Sequence, residues 1–246
     1  MKAIGRTDRG KIRESNQDHY AIIRGKKALL AVVCDGIGGH IGGGKASDII
    51  IQYLKHHFDR SVSFESSDHA MTYIKELIID ANDHLFDRSK HDPLYKGMGT
   101  TLVALMITKE HAILVNVGDS RCYGIHNDEL SLLSDDHSYV NEMMKLGKLT
   151  PHQAQMHPYR NMLTNAMGIT DQLVVDVSEI TQKHDAYLLC SDGLHGYVSY
   201  QQISDVVISN MSATKKVTTL IQLANDAGGF DNVTIIYLTD LQGETS

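Results

Sequence analysis

Four aspartates stand at the ends of predicted strands, and they are the residues of this sequence best placed to do chemistry. Asp35, Asp119 and Asp192 follow apolar runs, and Asp231 precedes one, with Asn232 between. Carboxylates brought together repel one another unless a cation neutralises them, and a site of carboxylates, carbonyls and waters suits magnesium or manganese. We therefore hypothesise a divalent-cation site, while a polar turn after a strand is an alternative for each aspartate taken singly.

The stretch from Ala28 to Ser47 carries the first of these aspartates. Residues 28–34 are continuously apolar, which predicts a strand buried on both faces and ending at Cys34. Six glycines between Gly36 and Gly44 free the backbone to take positive φ and to approach a ligand closely. After Lys45 the apolar residues recur at helical spacing, so the unit is a strand, a glycine turn and a helix.

Two chemistries fit this unit. Gly39–Lys45 satisfies the pattern G-x-x-x-x-G-K of a nucleotide-binding P-loop. The next residue, however, is Ala46 instead of a magnesium-binding hydroxyl, and Ser47 comes one place late. Alternatively, the Asp35 carboxylate and the Gly36 carbonyl are hard oxygen ligands for a divalent cation.

Length and composition restrict the choice of function. The 246 residues suffice for one large domain, and no linker or low-complexity tract divides them. A formal net charge of −7 argues against a nucleic-acid partner. The three cysteines form no C-x-x-C pair, which favours buried thiols in a reducing compartment, and no run approaches the ~18 apolar residues of a membrane span. We expect a cytoplasmic protein without a membrane segment.

Hydrophobic periodicity predicts the elements that must position the aspartates. Strands are expected at residues 2–7, 20–24, 28–34, 101–108, 111–117, 121–126, 173–178, 186–190 and 233–239. Helices are expected after residue 45 and at 66–91, 138–146, 201–209 and 213–227, with one more beginning at Pro151 behind a Thr150 cap.

Seven motifs, taken in order, resemble those of the metal-dependent protein phosphatases of the 2C type. The agreement in order and spacing runs from about Gly5 to Tyr237. The motifs are R-E-S-N-Q-D (13–18), V-V-C-D-G-I-G-G-H (32–40), G-T-T (99–101), N-V-G-D-S-R (116–121), D-D-H-S (135–138), L-C-S-D-G-L (189–194) and D-N-V-T (231–234).

The resemblance implies an α+β fold, a four-layer α-β-β-α sandwich with two central antiparallel sheets flanked by helix pairs. It implies a single catalytic domain over residues 1–240, with a flap at about 147–168 and a short tail at 241–246. The metal centre would lie between the two sheets.

The resemblance also implies roles for the acidic residues. Asp35 would bridge two Mn²⁺ or Mg²⁺ ions, and the Gly36 carbonyl would bind one of them. Asp192 and Asp231 would bind the other ion. Asp119, together with Asp192, would bind a third.

The reaction implied is hydrolysis of phosphoserine or phosphothreonine by direct attack of a metal-activated water. Arg13 would hold the phosphate, and Asp18 would touch the metal shell through a water. Ile37 stands where animal members carry a histidine proposed as the general acid. We favour a metal-bound water as the acid over His40, whose near-neutral pKa would also suit the task.

By the same resemblance the partners would be phosphorylated proteins and a cognate serine/threonine kinase, and the chain would be a monomer. Two alternatives are kept, a P-loop-like nucleotide-binding enzyme and a catalytically silent interaction module on the same fold. The chain departs from the family pattern at Gly44, where bacterial members usually have glutamate, at Asn165, which replaces a frequent arginine, and at His195-Gly196. None of these departures removes a proposed metal ligand.

Overall fold

The structure is a computed structural model that describes residues 1–38, 42–91 and 95–241. Its strands are β1 (Lys2–Asp8), β2 (Asp18–Arg24), β3 (Ala28–Ile37), β4 (Gly99–Thr100), β5 (Leu102–Thr108), β6 (Ala112–Val117), β7 (Arg121–His126), β8 (Glu129–Leu132), β9 (Asp176–Glu179), β10 (Ala186–Cys190) and β11 (Val233–Thr239). Its helices are α1 (Gly42–His57), α2 (Ser67–His91), α3 (Tyr139–Lys145), α4 (Pro151–Gln155), α5 (Asp192–His195), α6 (Tyr200–Ile208) and α7 (Ala213–Asp226). His40 and residues 242–246 of the predicted tail lie outside the described residues.

The strands form two antiparallel sheets. One has the order β1-β11-β10-β7-β8, and the other has the order β2-β3-β5-β6-β9 with β4 paired to β3. Tight connections such as the turn between β2 and β3 join sequential neighbours, as antiparallel pairing allows. The chain enters the first sheet at β1 and returns to it at β7. The strands β1 and β11 are far apart in the sequence but pair along the whole of β1.

Three apolar layers hold the sheets and helices together. Leu30 and Val32 of β3 pack toward the layer that contains α1 and α2, whereas Leu29, Ala31 and Val33 face the layer between the two sheets. A third layer joins the other sheet to α6 and α7. Because both faces of β3 are covered, its sequence is continuously apolar. The predicted four-layer sandwich is therefore confirmed.

Most predicted elements are present, and the differences have physical causes. The third strand runs to Ile37 instead of ending at Cys34, because β4 pairs with Gly36 and Ile37. The strand predicted at 173–178 begins only at Asp176, where pairing with β6 starts. The short elements β8 and α5 are not predicted at all, because four residues carry too little periodicity.

The Thr150 cap is confirmed in full. Its side chain accepts a hydrogen bond from the Gln153 amide, the Gln153 side chain caps in return, and Pro151 occupies the first turn of α4. None of the helices in the described ranges is both long and apolar enough to span a membrane.

Candidate metal and phosphate site

The pairing of β2 with β3 places the first two carboxylates opposite each other. Asp18 begins β2 and is the register partner of Asp35, which lies within β3 and not beyond its end. Directly opposed residues of an antiparallel pair have Cα atoms about 4.5–5.5 Å apart, so like charges there repel strongly. Burial raises the pKa of both carboxyls. The charge of Asp18 raises the pKa of Asp35 further, and the charges of Asp192 and Asp231 raise that of Asp18.

Two further carboxylates approach the same place. Asp119 lies in the turn between β6 and β7, and Asp192 is the first residue of α5, just after β10. After burial and the charge of Asp18, the charges of Asp192 and Asp119 and a hydrogen bond with Asp192 contribute to raising the pKa of Asp35. Burial also raises the pKa of Asp119 and that of Asp192. The fold therefore concentrates negative charge between the sheets.

Asp231 completes the acidic group and is paired with Arg13. Arg13 Nη2 donates to Asp231 Oδ2 at 2.7 Å, across 218 positions of the sequence. The Arg13 side chain is 52% exposed and is therefore accessible to a ligand. The burial of Arg13 lowers its pKa, but the hydrogen bond to Asp231 and the surrounding carboxylates raise it overall.

Asn232 fixes the loop that carries Arg13. Its buried amide nitrogen donates to the carbonyls of Arg9 and Ser15 at 2.8 and 3.0 Å, and its Oδ1 accepts from the Gln17 amide at 2.8 Å. Three hydrogen bonds from one side chain thus tie residues 9–17 to the start of β11. The motif D-N-V-T contains this asparagine, but a buried contact between distant segments has no local sequence signal.

His195 anchors the turn of Asp119 in a comparable way. Its Nε2 lies 3.0 Å from the Asp119 carbonyl oxygen, which can only accept, so Nε2 carries the proton. Burial lowers the pKa of His195 to about 3, and the ring is therefore neutral at physiological pH. The unusual His195 of the sequence is a structural donor between two loops of the site.

The glycines after Asp35 and Asp192 are required by close packing. A Cβ on Gly36 would lie 2.2 Å from the Gly43 carbonyl oxygen, and one on Gly193 would lie 1.8 Å from the Asn232 carbonyl oxygen. Neither glycine has positive φ, and of the described glycines between 36 and 44 only Gly38 does, at 135°. Contact with another backbone segment therefore explains these two glycines, while close approach of the glycine turn to a ligand stays a prediction. Among the described glycines of that turn, the expectation of positive φ holds only at Gly38.

The donor set fits divalent cations. Asp18 Oδ1 and Asp192 Oδ1 are buried without a hydrogen-bond partner, a costly state that a bound cation or its waters would relieve. Across the described part of the chain, no three His, Cys, Asp or Glu side chains surround one point as ligands of a formed site would. The Asp231 carboxylate accepts a hydrogen bond from Arg13 and is not grouped with the other acids. Hard oxygen donors of this kind match magnesium and manganese better than softer metals.

The two side chains that a P-loop would need for phosphate and magnesium make other contacts in the structure. The Ser47 hydroxyl is buried and donates to the Gln17 carbonyl at 2.5 Å. Lys45 Nζ lies 3.7 Å from Asp48 on its own helix. Neither group is therefore directed to a nucleotide phosphate, although Gly39 and Ile41 lie outside the described residues.

The segment predicted as a flap is joined to the turn of Asp119. Asn165 Nδ2 lies 2.8 Å from His137 Nδ1, which also accepts from the Gly118 amide at 3.2 Å. His137 Nε2 lies 3.0 Å from Asp176, and Asn165 also donates to the Val174 carbonyl. The motif D-D-H-S contains His137, yet its role as this link was not predicted.

The fold thus brings Asp18, Asp35, Gly36, Asp119 and Asp192 together between the sheets, with the Arg13–Asp231 pair at the rim. No predicted site residue within the described ranges lies elsewhere. The residues with no predicted role are Asn232, His137 and His195, together with the exposed aromatic side chains of Tyr197 and Phe230.

Known proteins resemble the chain in sequence and in fold over nearly its whole length. The sequence profile of the family described as Protein phosphatase 2C matches residues 9–227. A serine/threonine phosphatase stp of Listeria welshimeri is 34% identical over 96% of the chain and 94% of its own length. Protein phosphatase PhpP of Streptococcus pneumoniae is 35% identical over 93% of each chain. The crystal structure of the serine/threonine phosphatase Stp1 from Staphylococcus aureus superposes with a TM-score of 0.91 at 33% identity, covering 97% of this chain and 94% of that one.

Proposed function

Because the chain belongs to the protein phosphatase 2C family, we propose that its reaction takes place at the carboxylates around Asp35 and at the neighbouring Arg13. The chain is a metal-dependent protein serine/threonine phosphatase. The observation that supports this location is the convergence of Asp18, Asp35, Asp119 and Asp192 between the sheets. Their substrates are phosphoserine and phosphothreonine monoesters of proteins.

The proposed metal ligands follow the sequence prediction. Asp35 would bridge two ions, with the Gly36 carbonyl on one and Asp192 and Asp231 on the other, while Asp119 and Asp192 would hold a third. When bound, Mn²⁺ or Mg²⁺ lowers the pKa of a coordinated water and offsets negative charge that develops on the phosphate. The buried unpartnered oxygens of Asp18 and Asp192 support this assignment.

The chain's own residues position the phosphate and hold the acids in place. Arg13 offers a planar fork of donors to phosphate oxygens, and its pairing with Asp231 keeps that fork at the rim of the site. Ser191 donates to Asp18 Oδ2 at 2.7 Å and accepts from the Thr234 amide, which fixes Asp18 against the other sheet. We propose that Asp18 acts through a water and does not ligate metal directly.

Neither alternative function gains support. A P-loop-like enzyme needs Lys45 and a free hydroxyl at its phosphate site, and both are engaged elsewhere. A silent module would usually have lost an acidic ligand, yet this chain has every acidic residue that the family resemblance assigns to metal. The relatives are also named as phosphatases.

The function is tested by phosphate release from a phosphothreonine peptide and from p-nitrophenyl phosphate. We expect both reactions to stop after treatment with a chelator and to return with manganese or magnesium. Activity that persists in metal-free protein would contradict the proposal. A nucleotide-binding titration serves as the test of the P-loop alternative, and we expect no binding.

Arg13→Ala is expected to raise KM for small phosphate esters by roughly 10-fold or more, because a charge-assisted hydrogen bond contributes about 1.5–3 kcal/mol. Metal affinity should be unchanged or higher, since Arg13 no longer competes for the Asp231 carboxylate. Steady-state kinetics and calorimetric metal titration measure the two effects. A variant in which metal affinity falls as much as phosphate affinity would show that Arg13 supports the metal site instead.

Asp119→Ala is expected to retain the two central ions and to lose much of its turnover at low manganese. The reason is that Asp119 is proposed to ligate only the third ion, and that its turn is held separately by His195. A metal titration of kcat, compared with a count of tightly bound ions, makes this distinction. Identical curves for variant and wild type would remove the third site from the mechanism.

The remaining assignments are also proposals. We propose one catalytic domain over residues 1–240 with its flap at about 147–168, and we propose that the chain is a monomer partnered by a serine/threonine kinase. A cytoplasmic location is supported by Cys34, Cys122 and Cys190, which are all free and buried.

A further inference from the structure

Two partly exposed aromatic rings lie beside the Arg13–Asp231 pair. Tyr197 is 39% and Phe230 is 52% exposed. Their ring centroids are 5.6 Å apart with an interplanar angle of 35°. Of the three apolar layers formed by the described residues, none includes either ring. The core therefore does not explain why the chain places aromatic side chains here.

Phe230 is held in a fixed position next to the site. It directly precedes Asp231, and a Cβ on Gly228 would lie only 2.1 Å from its ring, so the ring packs against the backbone of the loop. The neighbouring Gly229 carbonyl accepts a hydrogen bond from the Ile12 amide at 3.1 Å. Ile12 is itself 63% exposed and adjoins Arg13. An apolar surface thus borders the proposed phosphate-binding arginine through two separate segments.

Tyr197 lies within electrostatic reach of the same groups. Burial raises the pKa of its hydroxyl, and the charges of Asp231 and Asp192 raise it further. Arg13 and Arg160 of the predicted flap act on that hydroxyl in the opposite direction. The two acids outweigh the two arginines in this effect, so the ring pair lies at the edge of the acidic cluster, with Arg13 and Arg160 both near enough to act on Tyr197.

We propose that Tyr197 and Phe230 bind an apolar side chain located within two positions of the phosphoserine or phosphothreonine of a protein substrate. This inference rests on the proposed function, because it assumes that the phosphate is bound at Arg13. An extended peptide advances about 3.3 Å per residue, and Phe230 is the immediate neighbour of Asp231. A residue one or two positions from the phosphorylated one therefore reaches the rings.

The two aromatic rings favour an apolar side chain as their ligand. Aromatic faces that pack on no core element gain free energy when an apolar side chain removes them from water. Of the charged groups nearby, Arg13 is assigned to phosphate and Asp192 and Asp231 are assigned to metal. The two rings consequently add selectivity for sequence around the phosphorylated residue, while the ester hydrolysis itself takes place at the acidic cluster.

The experiment compares phosphothreonine peptides that differ only in carrying leucine or glycine at one of the two positions on either side. The enzyme is the full chain with manganese, and released phosphate is measured. We expect a leucine peptide to have a kcat/KM about 3- to 10-fold above its glycine partner at one or more positions, in line with one aromatic contact. In the Tyr197→Ala/Phe230→Ala double variant, that ratio should approach one.

Two controls separate a specific contact from a general loss. Met211→Ala removes a side chain of similar exposure, 40%, in the connection between α6 and α7, and should keep the wild-type ratio. Phe230→Leu should retain part of the preference for the leucine peptide. Because each ratio is taken within one variant, a partial loss of folded protein cancels.

The outcomes are distinguishable from those of the proposed function. If the wild type hydrolyses no peptide with manganese present, the proposed function itself fails. Hydrolysis of all peptides with equal kcat/KM overturns the aromatic platform alone, and so does a leucine preference that the double variant retains.

Discussion

Asp35→Asn is expected to lower phosphatase turnover by roughly 10³-fold, the loss typical for removal of one group that stabilises charge in a transition state. Asn keeps the shape of Asp but cannot supply the negative charge that a bridging ligand needs. The substitution also removes repulsion, because Asp35 is opposed by Asp18 and approached by Asp192. The metal-free variant should therefore be at least as stable as metal-free wild type.

Thermal unfolding with and without manganese tests this directly. A ligand that binds only the folded state stabilises it by RT ln(1 + [L]/Kd), so manganese should raise the melting temperature of the wild type and have much less effect on Asp35→Asn. Asp205→Asn, an exposed change on α6, is the matched control and should behave as wild type. A variant that keeps its activity and its full manganese-induced shift would remove Asp35 from the metal site.

The elements that carry the acids could be predicted from the sequence because they have strong hydrophobic periodicity. The continuous apolar run before Asp35 predicts a strand covered on both faces, and β3 does lie between the two apolar layers. The four-layer arrangement was implied by the family resemblance of the ordered motifs, and the predicted strands and helices are compatible with it. The sequence did not indicate that Asp18 and Asp35 are register partners, since register depends on the whole hairpin.

Contacts between remote segments were beyond prediction from local patterns. The hydrogen bond of Arg13 to Asp231 and the three hydrogen bonds of Asn232 join positions more than 200 residues apart. No periodicity or turn preference encodes such a distance. The same holds for Tyr197 and Phe230, which become neighbours only when α5 and the start of β11 are packed together.

Gly36 and Gly193 are required for a different reason from the one that their sequence context suggests. An Asp-Gly pair after a strand suggests a turn that needs positive φ, yet the φ angles of Gly36 and Gly193 are not positive. Both positions lack room for a Cβ because another backbone segment lies against them. The requirement is for close packing, and it can be read only from the folded structure.

Gly193→Ala is accordingly expected to destabilise the protein by about 3 kcal/mol, the upper range for overpacking a tight site. The new Cβ would lie 1.8 Å from the Asn232 carbonyl oxygen, which is backbone and cannot rotate away. The clash would separate Asp192 from Asp231, and a shift of 1 Å near the chemistry is expected to lower turnover by roughly 10²-fold. Urea unfolding and peptide hydrolysis measure the two effects.

Gly44→Ala is the matched control for this prediction. A Cβ on Gly44 would lie 3.6 Å from the nearest atom, which is an ordinary van der Waals contact. The residue lies within α1 and does not have positive φ. Alanine in a helix is favoured over glycine by about 0.5–1 kcal/mol, so this variant should be as stable as wild type or slightly more so. If Gly193→Ala instead unfolds at the same urea concentration as Gly44→Ala and keeps full turnover, the two loops are not in the tight contact that places Asp192 beside Asp231.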